Sequence, residues 1–196
     1  MGIKMTKIYV VDNGGQWTHR EWRTLKYLGV DTKIIPNTTT IQQLHDFDID
    51  GLVLSGGAPR IGLDSELGNC ATYFKELFIP ILGICAGHQY MARYYGGTVK
   101  PSKTPEFGKI ELTRLEPKNP LFNNVPDTSI VWESHNDEIT DLPESFLHLA
   151  KSNNCTYQAI AHKENPHFGL QFHPEVEHTE YGEQIFKNFI TICAEQ

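Results

Sequence analysis

From residue 7 onward, short apolar runs alternate with stretches whose apolar residues recur every three or four positions. Residues 7–11 (K-I-Y-V-V) form a β-branched run that stops at Asp12-Asn13-Gly14-Gly15 and predicts a strand. Residues 16–28 place Trp22, Leu25 and Leu28 near one face, and Gly29 closes the predicted helix. The pattern repeats. Strand 30–35 ends at Pro36-Asn37, and helix 40–47 opens on threonines suited to capping. Strand 51–54 runs into Ser55-Gly56-Gly57. A helix is expected over 64–77 with Asp64 or Ser65 as its cap, then strand 80–84, then helix 86–95 ended by Gly96-Gly97.

Four β-α units in succession predict an α/β fold: an open, mostly parallel twisted sheet with helices on both faces. Right-handed crossovers follow. Ligands in such sheets bind beyond the carboxyl ends of the strands. Three glycine-rich strand ends (Gly14-Gly15, Gly56-Gly57, Gly83 to Gly87) therefore point to one rim. After Gly97 the texture changes. Strands are expected at 108–115, 129–132, 146–151, 157–162 and 168–172, an antiparallel strand extension, followed by a helix over 179–192 with Ile185, Phe189 and Ile192 inward. No repeat or linker interrupts the chain, so residues 1–196 are expected to form one domain.

Composition narrows the possibilities. The 196 residues are 39% hydrophobic and 21% charged, which excludes disorder over most of the length. The net charge of −7 argues against a nucleic-acid binder or a membrane-surface protein. No apolar run approaches the roughly 18 residues of a membrane helix. The start lacks a signal-peptide core, although Met1-Gly2 fits the loose myristoylation pattern M-G-x-x-x-[ST], and Met5 is a possible second start. Cys70, Cys85, Cys155 and Cys193 form neither C-x-x-C nor a disulfide scaffold, so free thiols in a reducing cytoplasm are expected.

The sharpest local feature is Gly83-Ile84-Cys85-Ala86-Gly87-His88-Gln89, a G-x-C-x-G between a buried strand and a helix. It is the nucleophile-elbow pattern with cysteine for serine. The turn is tight and strained, and the glycines two positions either side let the backbones approach. The positive end of the following helix favours a thiolate, and the Ala86 N–H is offered to an oxyanion. A plain buried cysteine in a turn is the competing reading. A nucleophile needs a base, and the base an orienting group. Gly169-Leu170-Gln171-Phe172-His173-Pro174-Glu175 supplies both, with Pro174 restraining the pair. Ser55-Gly56-Gly57 is either a second oxyanion donor or an ordinary turn. The spacing His173, Glu175, His178 is not H-E-x-x-H, so no metal site is expected.

Together G-I-C-A-G-H-Q at 83–89, S-G-G at 55–57 and G-L-Q-F-H-P-E at 169–175 resemble the class I (triad) glutamine amidotransferases along the whole chain. The resemblance implies a flavodoxin-like fold, Cys85 as nucleophile, His173 as proton shuttle and Glu175 as its orienter. It implies Gly57 and Ala86 as the oxyanion hole and Gln89, Ser134 and His135 as contacts to L-glutamine. Proline usually follows the Gly-Gly pair directly, whereas Ala58 intervenes here. Three further segments, Asp12 to Trp17, W-E-S-H-N-D at 132–137 and E-V-E-H-T-E-Y-G at 175–182, are similar to glutaminases of the GMP synthetase type. That resemblance implies a glutaminase subunit that passes ammonia to a separate ATP-pyrophosphatase synthetase subunit, which aminates xanthosine monophosphate. No P-loop is present, so no cofactor is expected on this chain, with ATP and magnesium on the partner. The alternatives are glutaminases of the anthranilate or aminobenzoate synthase type, a Cys-elbow hydrolase or chaperone relative, and a non-enzymatic regulatory subunit.

Overall fold

The computed structural model describes residues 5–196; the Met1-Gly2 pattern lies outside them. The first half alternates as the sequence predicts. Strands β1 (Ile8–Asp12), β2 (Ile34–Pro36), β3 (Gly51–Leu54) and β4 (Ile81–Ile84) alternate with helices α1 (Thr18–Tyr27), α2 (Ile41–Phe47), α3 (Cys70–Glu76) and α4 (Ala86–Tyr94). The second half is β5 (Thr98–Arg114), β6 (Thr128–Asp141), β7 (Phe146–Lys151), β8 (Ala159–His162) and β9 (His167–Leu170), closed by α5 (Gly182–Ala194). All nine strands join one sheet in the order β2-β1-β3-β4-β9-β8-β7-β5-β6. Pairings from β2 to β9 are parallel, and those from β9 onward are antiparallel.

Successive strand residues point to opposite faces, and the core divides accordingly. Ile8, Val10, Val53, Leu82 and Ile84 pack with Leu25 of α1 and Ile185, Phe186 and Phe189 of α5. Tyr9, Val11, Leu52, Leu54 and Ile81 pack with Leu44 of α2, Tyr73 and Phe74 of α3, and Tyr90 and Met91 of α4. Helices thus cover both faces.

The structure departs from the predicted elements in three places. Of the helix expected over 64–77 only the short α3 forms, with a 3₁₀ turn, Ile61–Leu63, just before the expected range. Asp64 and Gly68, at φ 62° and 51°, interrupt it. Gly68 also lies where a Cβ would sit 2.5 Å from the Asn37 carbonyl oxygen. The strand expected over 30–35 contracts to β2, because the Val30 N–H still bonds back to Leu25 as the end of α1. The short strands expected at 108–115 and 129–132 are parts of one long β5–β6 hairpin. Buried Glu133, His135 and Asp137 continue the inward face of β6, so the strand lacks the apolar alternation that would have extended the prediction.

Candidate active site

Cys85 lies between β4 and α4 with φ 50° and ψ −105°, in the positive-φ region that costs a non-glycine residue energy. The strain is held from both sides. The Cys85 N–H bonds to Leu170 of β9, and its carbonyl accepts from Gln89 of α4. A Cβ on Gly83 would approach the Gly87 carbonyl to 2.7 Å, and one on Gly87 would approach the Leu54 carbonyl to 2.5 Å. The glycines of the G-x-C-x-G pattern are therefore steric requirements of the turn. Cys70, Cys155 and Cys193 differ: burial pushes all three thiols well up, Cys70 to about 12, and buried uncharged thiols are inert.

β9 carries the histidine segment into the sheet beside β4. The His173 N–H bonds to the Trp132 carbonyl at 2.9 Å. The His173 carbonyl accepts from Thr179 Oγ1 at 2.7 Å, and that hydroxyl oxygen accepts the Trp132 N–H at 2.9 Å. One hydroxyl thus locks the histidine backbone to β6. His173 Nδ1 lies 2.7 Å from Glu175 Oε1, and the imidazole packs edge-on against Trp17, ring centroids 4.4 Å apart. Burial alone would drive the imidazole to its neutral form. The negative charges of Glu175 and Cys85 beside it outweigh burial and raise its proton affinity well above the ordinary value.

Gly56 and Gly57 close over the elbow. The Cβ position of Gly56 is 3.4 Å from Cys85 Cβ and 3.2 Å from His173 Cε1, and that of Gly57 is 2.3 Å from the Asn13 carbonyl oxygen. Two cavities meet at Cys85. One, of about 280 Å³, is walled by Gly15, Trp17, Glu21, His173 and Glu175. The other, of about 200 Å³, extends over Ala86 and Gln89 to Arg60 and Asp137. Cys85, Gly57, Ala58 and Ser134 line both. The structure therefore gathers Cys85, His173, Glu175, Gly57, Ala86, Gln89, Ser134 and His135 around one point.

The last three are placed in particular ways. The Ser134 carbonyl oxygen lies 3.8 Å from Cys85 Sγ. The Gln89 amide nitrogen donates to the carbonyl of Asp137 at 2.6 Å and to Gln171 Oε1 at 3.0 Å, so it is already committed within the protein. The His135 side chain turns away from the cavities. Its Nδ1 donates to the Asp137 carbonyl, and its Nε2 lies 3.2 Å from Glu106 and 3.6 Å from Glu133. His178 does not join His173; it lies against Trp132, ring centroids 5.0 Å apart.

Several groups were not singled out in the sequence. Arg60 grips Asp137 through Nε and Nη2, and Asp137 also accepts the Gly62 N–H at 3.1 Å. This ties the loop after Ala58 to β6. Behind β6, Glu106 accepts from Ser152 at 2.7 Å and Gln158 at 2.8 Å. Ligand-capable atoms of Glu106, His135 and Cys155 lie there within 4.8 Å of one another. Glu21 of α1 is buried in the wall of the larger cavity. Its only signal in the sequence was a charged residue at i−4 from inward-facing Leu25, the position of a buried face.

Comparison with known proteins gives the family and the fold. The family model of class I glutamine amidotransferases matches residues 9–193. The glutamine-hydrolysing GMP synthase subunit of Thermoplasma acidophilum is 52% identical over 191 residues, 97% of this chain and 94% of that protein. The protein of the same name from Thermococcus kodakarensis is 44% identical over 191 residues, 96% of this chain and 99% of its own. A crystal structure from T. acidophilum, described as that of a GMP synthase subunit, superposes with a TM-score of 0.90 at 51% identity, covering 99% of this chain and 96% of that one. A glutamine amidotransferase from Thermotoga maritima shares the fold, with a TM-score of 0.72 at 20% identity over 96% of this chain and 82% of that one.

Proposed function

We propose that this chain, which belongs to the class I glutamine amidotransferase family, is the glutamine-hydrolysing subunit of a GMP synthase. The observation that carries the reading is the meeting of Cys85, His173 and Glu175 at a strained elbow, in a chain that matches proteins of that name over nearly its whole length.

L-glutamine enters the smaller cavity with its side-chain amide over Cys85. Arg60, partly exposed at the far end, supplies a cation toward the α-carboxylate. The Cys85 thiolate attacks the amide carbon, and the N–H groups of Gly57 and Ala86 hold the oxyanion. Asn13 fixes the Gly57 backbone by contact, and Arg60–Asp137 anchors the loop beyond Ala58. The His173 imidazolium gives its proton to the amide nitrogen. The C–N bond breaks, ammonia leaves, and a γ-glutamyl thioester remains on Cys85. Water then attacks the thioester, His173 takes its proton, and glutamate departs as the thiolate is restored. Glu175 keeps Nδ1 protonated and the ring oriented throughout. Gln89 shapes the cavity wall, while the backbone of Ser134 and His135 meets the main-chain groups of glutamine.

Ammonia passes to a separate ATP-dependent synthetase subunit, where ATP and magnesium act and xanthosine monophosphate is aminated. This chain needs no cofactor for its own half. No helix among the described residues is long and apolar enough to cross a membrane, and action in the cytoplasm fits the free thiols. The test is Cys85→Ala, assayed together with the synthetase subunit. GMP formation from glutamine is lost while formation from ammonium salts persists. Loss of both would make Cys85 a structural residue.

A further inference from the structure

Glu21 sits one turn after Thr18 on α1 and is 1% exposed, yet nothing in the glutaminase chemistry above employs it. It shares the wall of the larger cavity with Cys85, His173 and Glu175. Its Oε2 is buried and has no hydrogen-bond partner among the described residues, and the same is true of Glu175 Oε2. The other Glu175 oxygen is occupied by His173 Nδ1. The Gly56 N–H from the loop after β3 bonds to the Glu21 carboxyl, and Cys85 from the elbow and His173 and Glu175 from the segment after β9 line the same cavity and act on its charge. A Cβ on Gly56 would lie against both Cys85 and His173. The cavity thus holds two carboxyl groups, each with one oxygen lacking a donor. Two such groups in one cavity wall cannot both ionise cheaply, and a single proton shared between them would satisfy both.

We infer that Glu21 is a positioning residue for the triad: its carboxylic acid donates a hydrogen bond to the free oxygen of Glu175 and so limits how tightly the His173–Glu175 pair holds its own proton. The role rests on the proposed glutaminase chemistry. Burial first, then the Glu175 charge, holds the Glu21 carboxyl well above the usual carboxylate range, which keeps it in the donating form. Without that donor, the Glu175 charge falls more fully on the imidazolium.

The test compares wild type, Glu21→Gln, Glu21→Leu and Glu21→Met. The His173 imidazole is titrated by nitrogen-15 NMR, with a His173→Gln variant to assign the signal. Glutamine keeps an N–H donor, so its curve overlays wild type. Leucine and methionine fill the same space without a donor, so their midpoints rise by about half a unit or more. The alkaline limb of kcat/KM for glutamine moves with them. The methionine variant serves if leucine does not fold. Two results overturn the inference: folded apolar variants titrating as wild type does, or the Gln variant shifting as far as the apolar ones. The titration needs no glutamine, so a chain without glutaminase activity would refute the functional reading and still leave the Glu21 result readable.

Discussion

Thr179→Val is the substitution that best probes how the histidine is held. Valine has nearly the same shape as threonine, so the change deletes the hydroxyl and little else. That hydroxyl is buried, donates to the His173 carbonyl at 2.7 Å and accepts the Trp132 N–H at 2.9 Å. Removing it orphans the Trp132 N–H and leaves the His173 carbonyl with only the longer bond from the Val176 N–H at 3.3 Å. One unsatisfied buried group costs about 1 to 3 kcal/mol. In a chain of this length, that lowers Tm by about 2 to 12 °C. Thr179→Ser is the control: it keeps both bonds and loses one methyl, worth about 0.8 kcal/mol. Activity should fall further than stability alone requires. At a temperature where both variants are folded, a ring displaced by about 1 Å forfeits about 100-fold in kcat. The assay is thermal unfolding followed by circular dichroism, paired with glutamine hydrolysis at 25 °C. Equal stability of the Val and Ser variants would refute the reasoning, since it would mean the hydroxyl carries no net hydrogen bonding.

Two further outcomes follow from the same structure. Gly83→Ala places a Cβ 2.7 Å from the Gly87 carbonyl and 2.8 Å from the His88 nitrogen, both backbone atoms that cannot step aside; the variant should lose about 3 kcal/mol or more in urea unfolding, and an unchanged midpoint would show that the elbow has slack. His88 is fully buried, and burial holds its pKa down to about 3 despite its bond to the Tyr157 carbonyl. Because the unfolded chain takes up this proton near 6.5 and the folded one does not, the stabilising contribution is present above that pH and is lost as pH falls toward 3. The slope is about 1.4 kcal/mol per pH unit. His88→Gln should therefore flatten the wild-type decline in unfolding free energy between pH 6.5 and 4.5, and parallel curves for the two proteins would discount the effect.

Most of the parallel half was legible because each strand there is a short apolar run stopped by glycine or proline. Residues 51–54 and 146–151 were placed to the residue. The elbow was legible because its glycines are required locally, within five positions of the chain. Other parts resisted for physical reasons. β6 hides behind Glu133, His135 and Asp137, inward residues whose burial depends on partners such as Glu106 and Arg60 that are distant in sequence. The helix expected at 64–77 was broken by a left-handed Asp64, a conformation that aspartate tolerates and does not announce. Glu21 carries no mark of the site, since nothing near it in sequence shows that His173 and Glu175 will share its cavity.

The position of β9 has a bearing on how the protein is made. This late strand does not add to an edge; it inserts between β4 and β8, so the centre of the sheet is left incomplete until residues 167–170 emerge. Pairing across more than eighty residues of chain is slow to form relative to local structure. During synthesis the elbow segment exists long before the segment bearing His173 and Glu175. A ribosome-bound chain therefore carries a cysteine with no proton shuttle, and the competence to split glutamine should switch on abruptly with the closing of the sheet. Assembly order alone would then keep unfinished chains from spending glutamine.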